Sequence, residues 1–181
     1  MSNRSSILKL LNDCGAMSRK DIAIELGLTP ATVTLICTEL ISAGILCEKG
    51  EVEEERRAGR RKVLIDINYQ YRYVLSVSIE AAKTCVAISN LKGLCLGAKW
   101  MPTDGGQDPE KFLKTVADEG KALMWEQGIT KDMVLGIGVS VPGPVSRRTG
   151  ISQHAYRIWN KAVAVGELIG KQMDLPVIVE N

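Results

Sequence analysis

The residues best placed for chemistry lie in two blocks. Leu135-Gly136-Ile137-Gly138-Val139-Ser140-Val141-Pro142-Gly143-Pro144-Val145 carries an alternating, apolar strand pattern directly into a Pro-Gly-Pro turn. Two prolines stiffen that turn, while Gly138 and Gly143 leave backbone uncovered, as a closely approaching ligand would need. A strand end with a rigid loop and no ligand has the same spacing. The second block, Arg56-Arg57-Ala58-Gly59-Arg60-Arg61-Lys62, follows at once on the acidic Glu51-Val52-Glu53-Glu54-Glu55. A basic run broken by glycine suits phosphates or the minor groove of DNA, although a solvated loop can look the same in isolation.

Acid–base and metal chemistry have little material to work with. His154 is the single histidine, and the five cysteines, Cys14, Cys37, Cys47, Cys85 and Cys95, are scattered without a Cys-x-x-Cys pair. They read as reduced thiols rather than disulfides or ligands. No catalytic residue, metal or cofactor is therefore expected. No apolar run approaches the roughly 20 residues of a membrane span, and the polar start Met1-Ser2-Asn3-Arg4-Ser5-Ser6 has no secretory apolar segment behind it, so a cytoplasmic location is expected. The net charge of +2 decides nothing, but 45% hydrophobic residues in 181 are enough for one large or two small cores.

The elements before the basic block give it a context. Ile7, Leu8, Leu10 and Leu11 form one helical stripe closed by Asn12-Asp13-Cys14-Gly15. Ser18, three residues before Asp21, caps a second helix over Ile22, Ala23 and Leu26, which Gly27 ends. Thr29 then caps a third helix with Pro30 at its first position and Val33, Ile36, Leu40 and Ile41 inward, and Gly44 stops it. Two short helices joined through Gly27-Leu28 make a helix-turn-helix, whose second member enters the major groove. Its outward residues are Ala31, Thr32, Leu35 and Thr38, with Thr29 and Thr34 beside them. Threonine hydroxyls can bond base edges or phosphates, and Ala31 or a threonine methyl can meet a thymine methyl. No Arg or Lys stands on this face. Strand patterns at Ile45 to Lys49 and Val63 to Ile67 turn the charged segment into the tip of a hairpin, a wing. Arg57, Gly59, Arg60, Arg61 and Lys62 there can supply phosphate and minor-groove contacts, with Arg4, Lys9, Arg19 and Lys20 as further backbone anchors. A helical module that binds protein instead of DNA is the alternative, and the Glu51 to Glu55 run argues mildly for it.

Beyond residue 72, Tyr73 to Ile79, Cys85 to Ser89 and Gly93 to Trp100 read as three strands, with Asn90-Leu91-Lys92-Gly93 as a turn. A helix over Asp108 to Gln127 turns Phe112, Val116, Ala117, Leu123 and Met124 inward. A strand over Val134 to Val141, a helix over Ala162 to Met173 and a strand over Pro176 to Glu180 complete an α/β order with a mixed sheet. Two domains are expected, 1–68 and 72–181.

These residues resemble the ROK family of bacterial sugar-responsive repressors and sugar kinases. Leu135 to Val145 with Arg147-Arg148-Thr149-Gly150, the Gly59-Arg60-Arg61 wing and the closing Leu175-Pro176-Val177-Ile178-Val179-Glu180-Asn181 carry the resemblance, which covers nearly the whole chain. It implies an α/β fold in which an N-terminal winged helix-turn-helix precedes one lobe of an actin-like (ribonuclease H-like) ATPase fold with a five-stranded sheet. It also implies a homodimeric repressor, with an operator in double-stranded DNA and a sugar or sugar-phosphate effector. Ser140, Val141, Pro142, Gly143 and Asn181 would line the sugar site, Gly143 by letting the ligand close and Asn181 by bonding a hydroxyl. His154 and Trp159 lie between these elements and read as packing or surface residues before ligand contacts. The alternative within the family is a sugar kinase with an added N-terminal domain. Family kinases meet ATP phosphates through a glycine-rich Asp-x-Gly-Gly-Thr-type loop. Ser78-Ile79-Glu80-Ala81-Ala82-Lys83 stands in its place, with a repelling carboxylate and two unwanted side chains. Family repressors commonly carry a basic residue where Leu35 stands. The family motif continues past Glu-Asn into a catalytic Asp, a zinc-binding cysteine cluster and a second lobe, so a portion of a longer protein is expected.

Overall fold

Three helices open the chain, and each begins at a side-chain hydroxyl that accepts an otherwise unsatisfied backbone N–H. Ser2 Oγ takes Ser5 N at 3.2 Å ahead of α1 (Asn3–Cys14). Ser18 Oγ takes Asp21 N at 3.2 Å ahead of α2 (Arg19–Leu26) and donates to the Asp21 carboxylate at 2.7 Å. Thr29 Oγ1 takes Thr32 N at 3.2 Å ahead of α3 (Pro30–Ser42). Gly27, left-handed at φ 62°, ends α2 and turns the chain into α3. In this computed structural model residues 2–52 and 62–181 are described. They fall into two units, Met1–Tyr71 and Arg72–Asn181.

In the first unit the helices pack with a small sheet ordered β1 (Met17–Ser18), β3 (Lys62–Ile67), β2 (Leu46–Val52). Strands β2 and β3 run antiparallel from Leu46↔Ile67 out to Val52↔Lys62, with an irregularity between Glu48 and Glu51 where Gly50 has φ 100°. That is the pairing of a hairpin, as the wing requires. Ile7, Leu11, Ile22, Val33, Ile36, Cys37, Leu40, Leu46 and Ile65 form the core. Cys37 takes the inward position expected of Ile41, which is only half-buried at the core's edge.

The second unit is a mixed sheet ordered β10-β7-β4-β5-β6, the expected five strands. Strands β4 (Tyr73–Ile79), β5 (Lys83–Asn90) and β6 (Cys95–Pro102) form an antiparallel meander, while β7 (Val134–Ser140) lies parallel to β4 and β10 (Val177–Glu180) parallel to β7. Helices α4 (Pro109–Glu126) and α5 (Val165–Met173) share one core with alternate sheet residues, including Leu75, Val77, Ile88, Val139, Phe112, Leu113 and Ile169. The intervening strand positions, Ser76, Ser78, Cys85, Ala87, Gly138 and Ser140, line a concavity of about 590 Å³ with Ile178 and Glu180.

Two boundaries shift for identifiable reasons. Gly93 and Leu94 belong to the turn before β6, because the Asn90 side-chain oxygen accepts from both Lys92 N and Leu94 N at 3.0 Å. Helix α5 starts at Val165 rather than Ala162 because Val163 exchanges backbone bonds with Ser152 at 2.8 and 3.0 Å. Ser152 belongs to a short hairpin of β8 (Val145–Ser146) and β9 (Ile151–Ser152), which links the Pro-Gly-Pro turn to the following loop.

Candidate functional site

Helix α3 presents two opposed stripes. Val33, Ile36, Cys37 and Leu40 are buried, while Ala31, Thr34, Leu35 and Thr38 are exposed. Both sets follow i, i+3, i+4, i+7 spacing, so one face holds the helix in the core and the other is free to enter a groove. Thr29 and Thr32 sit at the helix start, where their hydroxyls bond each other at 2.8 Å in addition to the cap. Burial pushes the Cys37 thiol above its ordinary pKa, with Arg19 pulling the other way.

The expected phosphate anchors are partly engaged within the fold. Arg4 pairs with Glu39, Lys9 with Asp13 at 3.1 Å, and Arg19 with Glu48 at 3.1 Å. Such exposed pairs are weak, about 0–1 kcal/mol, so a phosphate can compete for the cation. Lys20 and Lys49 are exposed and make no ion pair among the described residues. Lys62, at the start of β3, lies 4.0 Å from Asp21. Arg57, Gly59, Arg60 and Arg61 lie outside the described residues. Ile24, 66% exposed on α2, escaped the sequence reading. Its offset from inward Ile22, Ala23 and Leu26 was the available signal.

In the second unit the Val-Pro-Gly turn is held by backbone from three sides. Val141 is fully buried and its N–H donates to the Glu180 carbonyl at 2.9 Å, extending the β7–β10 pairing. Gly143 has φ 100°, and a Cβ there would stand 2.4 Å from the His154 carbonyl oxygen. Glycine is thus required by the loop already packed on it, a different reason from the one inferred from sequence. Gln153 N donates to Pro144 O at 2.9 Å, and Asn181 Nδ2 donates to Gly143 O at 2.8 Å. Gly143 and Asn181 are therefore brought together, and Ser140 lies in register with Glu180. Pro142 is half-buried. Gly138 alone has the uncovered backbone expected, with no heavy atom within 4 Å of the Cβ it lacks.

Trp159 is buried, with Nε1 donating to Ser152 Oγ at 3.1 Å, whereas His154 is exposed. The loop from Gln153 to Asn160, with Gly105, lines a second concavity of about 590 Å³. Where the family's kinases carry a glycine loop, Glu80 N donates to Lys83 O at 3.0 Å across a tight turn. Lys83 Nζ lies 4.4 Å over the Trp100 ring. That amide is satisfied internally, leaving no glycine cradle for a phosphate. Among the described residues no cluster of three or more His, Cys, Asp or Glu could hold a metal. No described helix is long and apolar enough to cross a membrane.

A winged helix-turn-helix thus precedes, along the chain, an α/β unit with the mixed five-stranded sheet of one actin-like lobe. Residues 2–46 match the winged helix-turn-helix DNA-binding family HTH_24. The chain is 27% identical over 179 residues to a protein named xylose repressor from Caldicellulosiruptor bescii, covering 99% of this chain and 44% of that one. A solved ROK family transcriptional regulator, described as a homolog of the Escherichia coli Mlc protein, superposes with a TM-score of 0.71 at 27% identity, over 99% of this chain and 45% of that chain. A glucokinase from Parabacteroides distasonis shares the fold, with a TM-score of 0.53 at 18% identity over 64% of this chain and 32% of its own. In sequence and in fold the chain is thus similar to ROK family transcriptional regulators. The chain spans about half the length of the relatives it matches.

Proposed function

We propose that this chain is the DNA-binding part and first effector lobe of a transcriptional repressor. Helix α3 enters the major groove of an operator, and Arg57, Gly59, Arg60, Arg61 and Lys62 of the wing follow the adjacent minor groove and phosphates. The observation that carries the reading is the exposed stripe of α3, set after the Gly27 turn in a helix-turn-helix that precedes an actin-like lobe. A cytoplasmic homodimer would place two such helices about one turn of DNA apart, roughly 34–36 Å, on a palindromic site.

The effector is a sugar or sugar-phosphate, bound in the whole protein against Ser140, Val141, Pro142, Gly143 and Asn181. A relative named for xylose and the kinase-like scaffold support this. Val141 and Gly143 act by shaping the turn, and Asn181 by holding Gly143 while its side-chain oxygen accepts a hydroxyl. No catalysis or cofactor is assigned, since the Glu80-Ala81-Ala82 turn is unsuited to ATP. The kinase alternative predicts ATP turnover with a hexose, and none is expected.

Fluorescence anisotropy with promoter DNA across a salt series tests the reading. Affinity should fall steeply with salt, and Arg60→Ala with Arg61→Ala should flatten the log–log slope by about 2. Affinity independent of salt and indifferent to both substitutions would remove it in favour of a protein-binding module.

A further inference from the structure

The composition of the α3 stripe is unusual for a base reader. Guanine is recognised in the major groove by Arg or Lys on N7 and O6, adenine by the amide of Asn or Gln, and cytosine by a carboxylate. Helix α3, Pro-Ala-Thr-Val-Thr-Leu-Ile-Cys-Thr-Glu-Leu-Ile-Ser, contains no Arg, Lys, Asn or Gln. Its one carboxylate, Glu39, is paired with Arg4. The Thr29 and Thr32 hydroxyls are bonded to each other.

Ahead of Ser42 at the helix end, what remains on the exposed stripe is Ala31, Thr34, Leu35 and Thr38, four side chains that each end in at least one methyl group. Leu35, at the centre of the stripe, is 62% exposed. A large aliphatic side chain in that position adds little to folding, because most of its surface stays in water. Thymine is the base that offers a methyl partner in the major groove. Resting on the reading that α3 enters that groove, we infer that this helix selects its operator by the C5 methyl groups of thymines, with Leu35 as the central contact. The threonine hydroxyls at positions 34 and 38 add hydrogen bonds to base edges on either strand. The main source of specificity at α3 is thus apolar, and the attraction to phosphate comes from residues outside it.

Replacing thymine with deoxyuridine removes the methyl and keeps every hydrogen-bonding group, so it isolates this contact. The full chain is used to select duplexes from a random-sequence library, and the winning duplex is resynthesised with deoxyuridine at one thymine at a time. At least two positions in each half-site should weaken binding about fourfold apiece, the affinity equivalent of burying one carbon. Leu35→Ala should bind the thymine and deoxyuridine duplexes equally at one of those positions, with unchanged melting because the side chain is exposed. Selective binding that stays within twofold for every deoxyuridine duplex overturns the methyl reading and leaves groove entry by α3 standing. A Leu35→Ala chain that loses all duplexes equally, random sequence included, also overturns it. Failure to enrich any sequence overturns both.

Discussion

Gly143 and Gly138 lie five residues apart on the same strand and turn, yet alanine should be costly at the first and nearly neutral at the second. At Gly143 the backbone has φ 100°, and the new Cβ would fall 2.4 Å from the His154 carbonyl oxygen. Left-handed backbone costs an L-residue about 1–2 kcal/mol. Forcing two packed backbone segments apart costs about 1–3 kcal/mol more. Gly143→Ala should therefore destabilise the second unit by about 2–5 kcal/mol, whereas Gly138→Ala, with no heavy atom within 4 Å, should change it by less than about 0.5 kcal/mol. All three tryptophans, Trp100, Trp125 and Trp159, belong to that unit, so tryptophan fluorescence in urea reads it without interference from the winged helix. A loss of about 3 kcal/mol on a slope of about 1.5 kcal/mol/M lowers the midpoint by about 2 M. Equal midpoints for the two variants, or a Gly143→Ala midpoint at the wild-type value, would refute the packing account of the turn.

Thr29→Ala removes the α3 cap and should cost the first unit about 1 kcal/mol, seen as a lower helical CD midpoint with the tryptophan transition unmoved. Buried Cys37 should resist alkylation in the folded chain while exposed Cys14 and Cys95 react, as mass mapping would show. Its raised thiol pKa keeps a proton that the unfolded thiol loses above about pH 8.5, so this contribution to stability is complete below that pH and declines as pH rises through the folded value. Asp174, held below the ordinary carboxylate range by Lys131, works in the other direction: its contribution is present above about pH 4 and is lost as pH falls through the folded value. Lys131→Met should raise the Asp174 pKa in an NMR titration.

Local chemistry made much of this fold readable. Ser18, Gly27, Thr29 and Pro30 mark helix ends through bonds within four residues, and the strand alternation at Tyr73 to Ile79 marks both faces of β4. Features that depend on distant partners were hidden. Strand β1 is two residues long and exists because Met17 and Ser18 meet Ile65 and Leu64. The ion pairs of Arg4 with Glu39 and of Arg19 with Glu48 join residues far apart along the chain and had no local signal. At Gly143 the special backbone was evident from Pro-Gly-Pro, but its reason, the carbonyl of His154, comes from a loop whose path follows no local pattern. On α3 the outward positions Ala31, Leu35 and Thr38 were legible from spacing, because a helix buried on one face leaves its opposite face determined. Thr32, expected outward, is instead half-buried at the cap, and Thr34 completes the exposed stripe.

On the proposed function, this outward face of α3 meets DNA. Thr34→Glu places a negative charge on the exposed stripe, and Asn12→Glu makes the same charge change on exposed α1. Measured by anisotropy at moderate salt on a selected duplex, Thr34→Glu should weaken binding at least about tenfold through repulsion from the phosphates, with unchanged melting, while Asn12→Glu should have a much smaller effect. Equal affinities for the wild-type and Thr34→Glu chains would contradict the assignment of α3 as the DNA-reading helix.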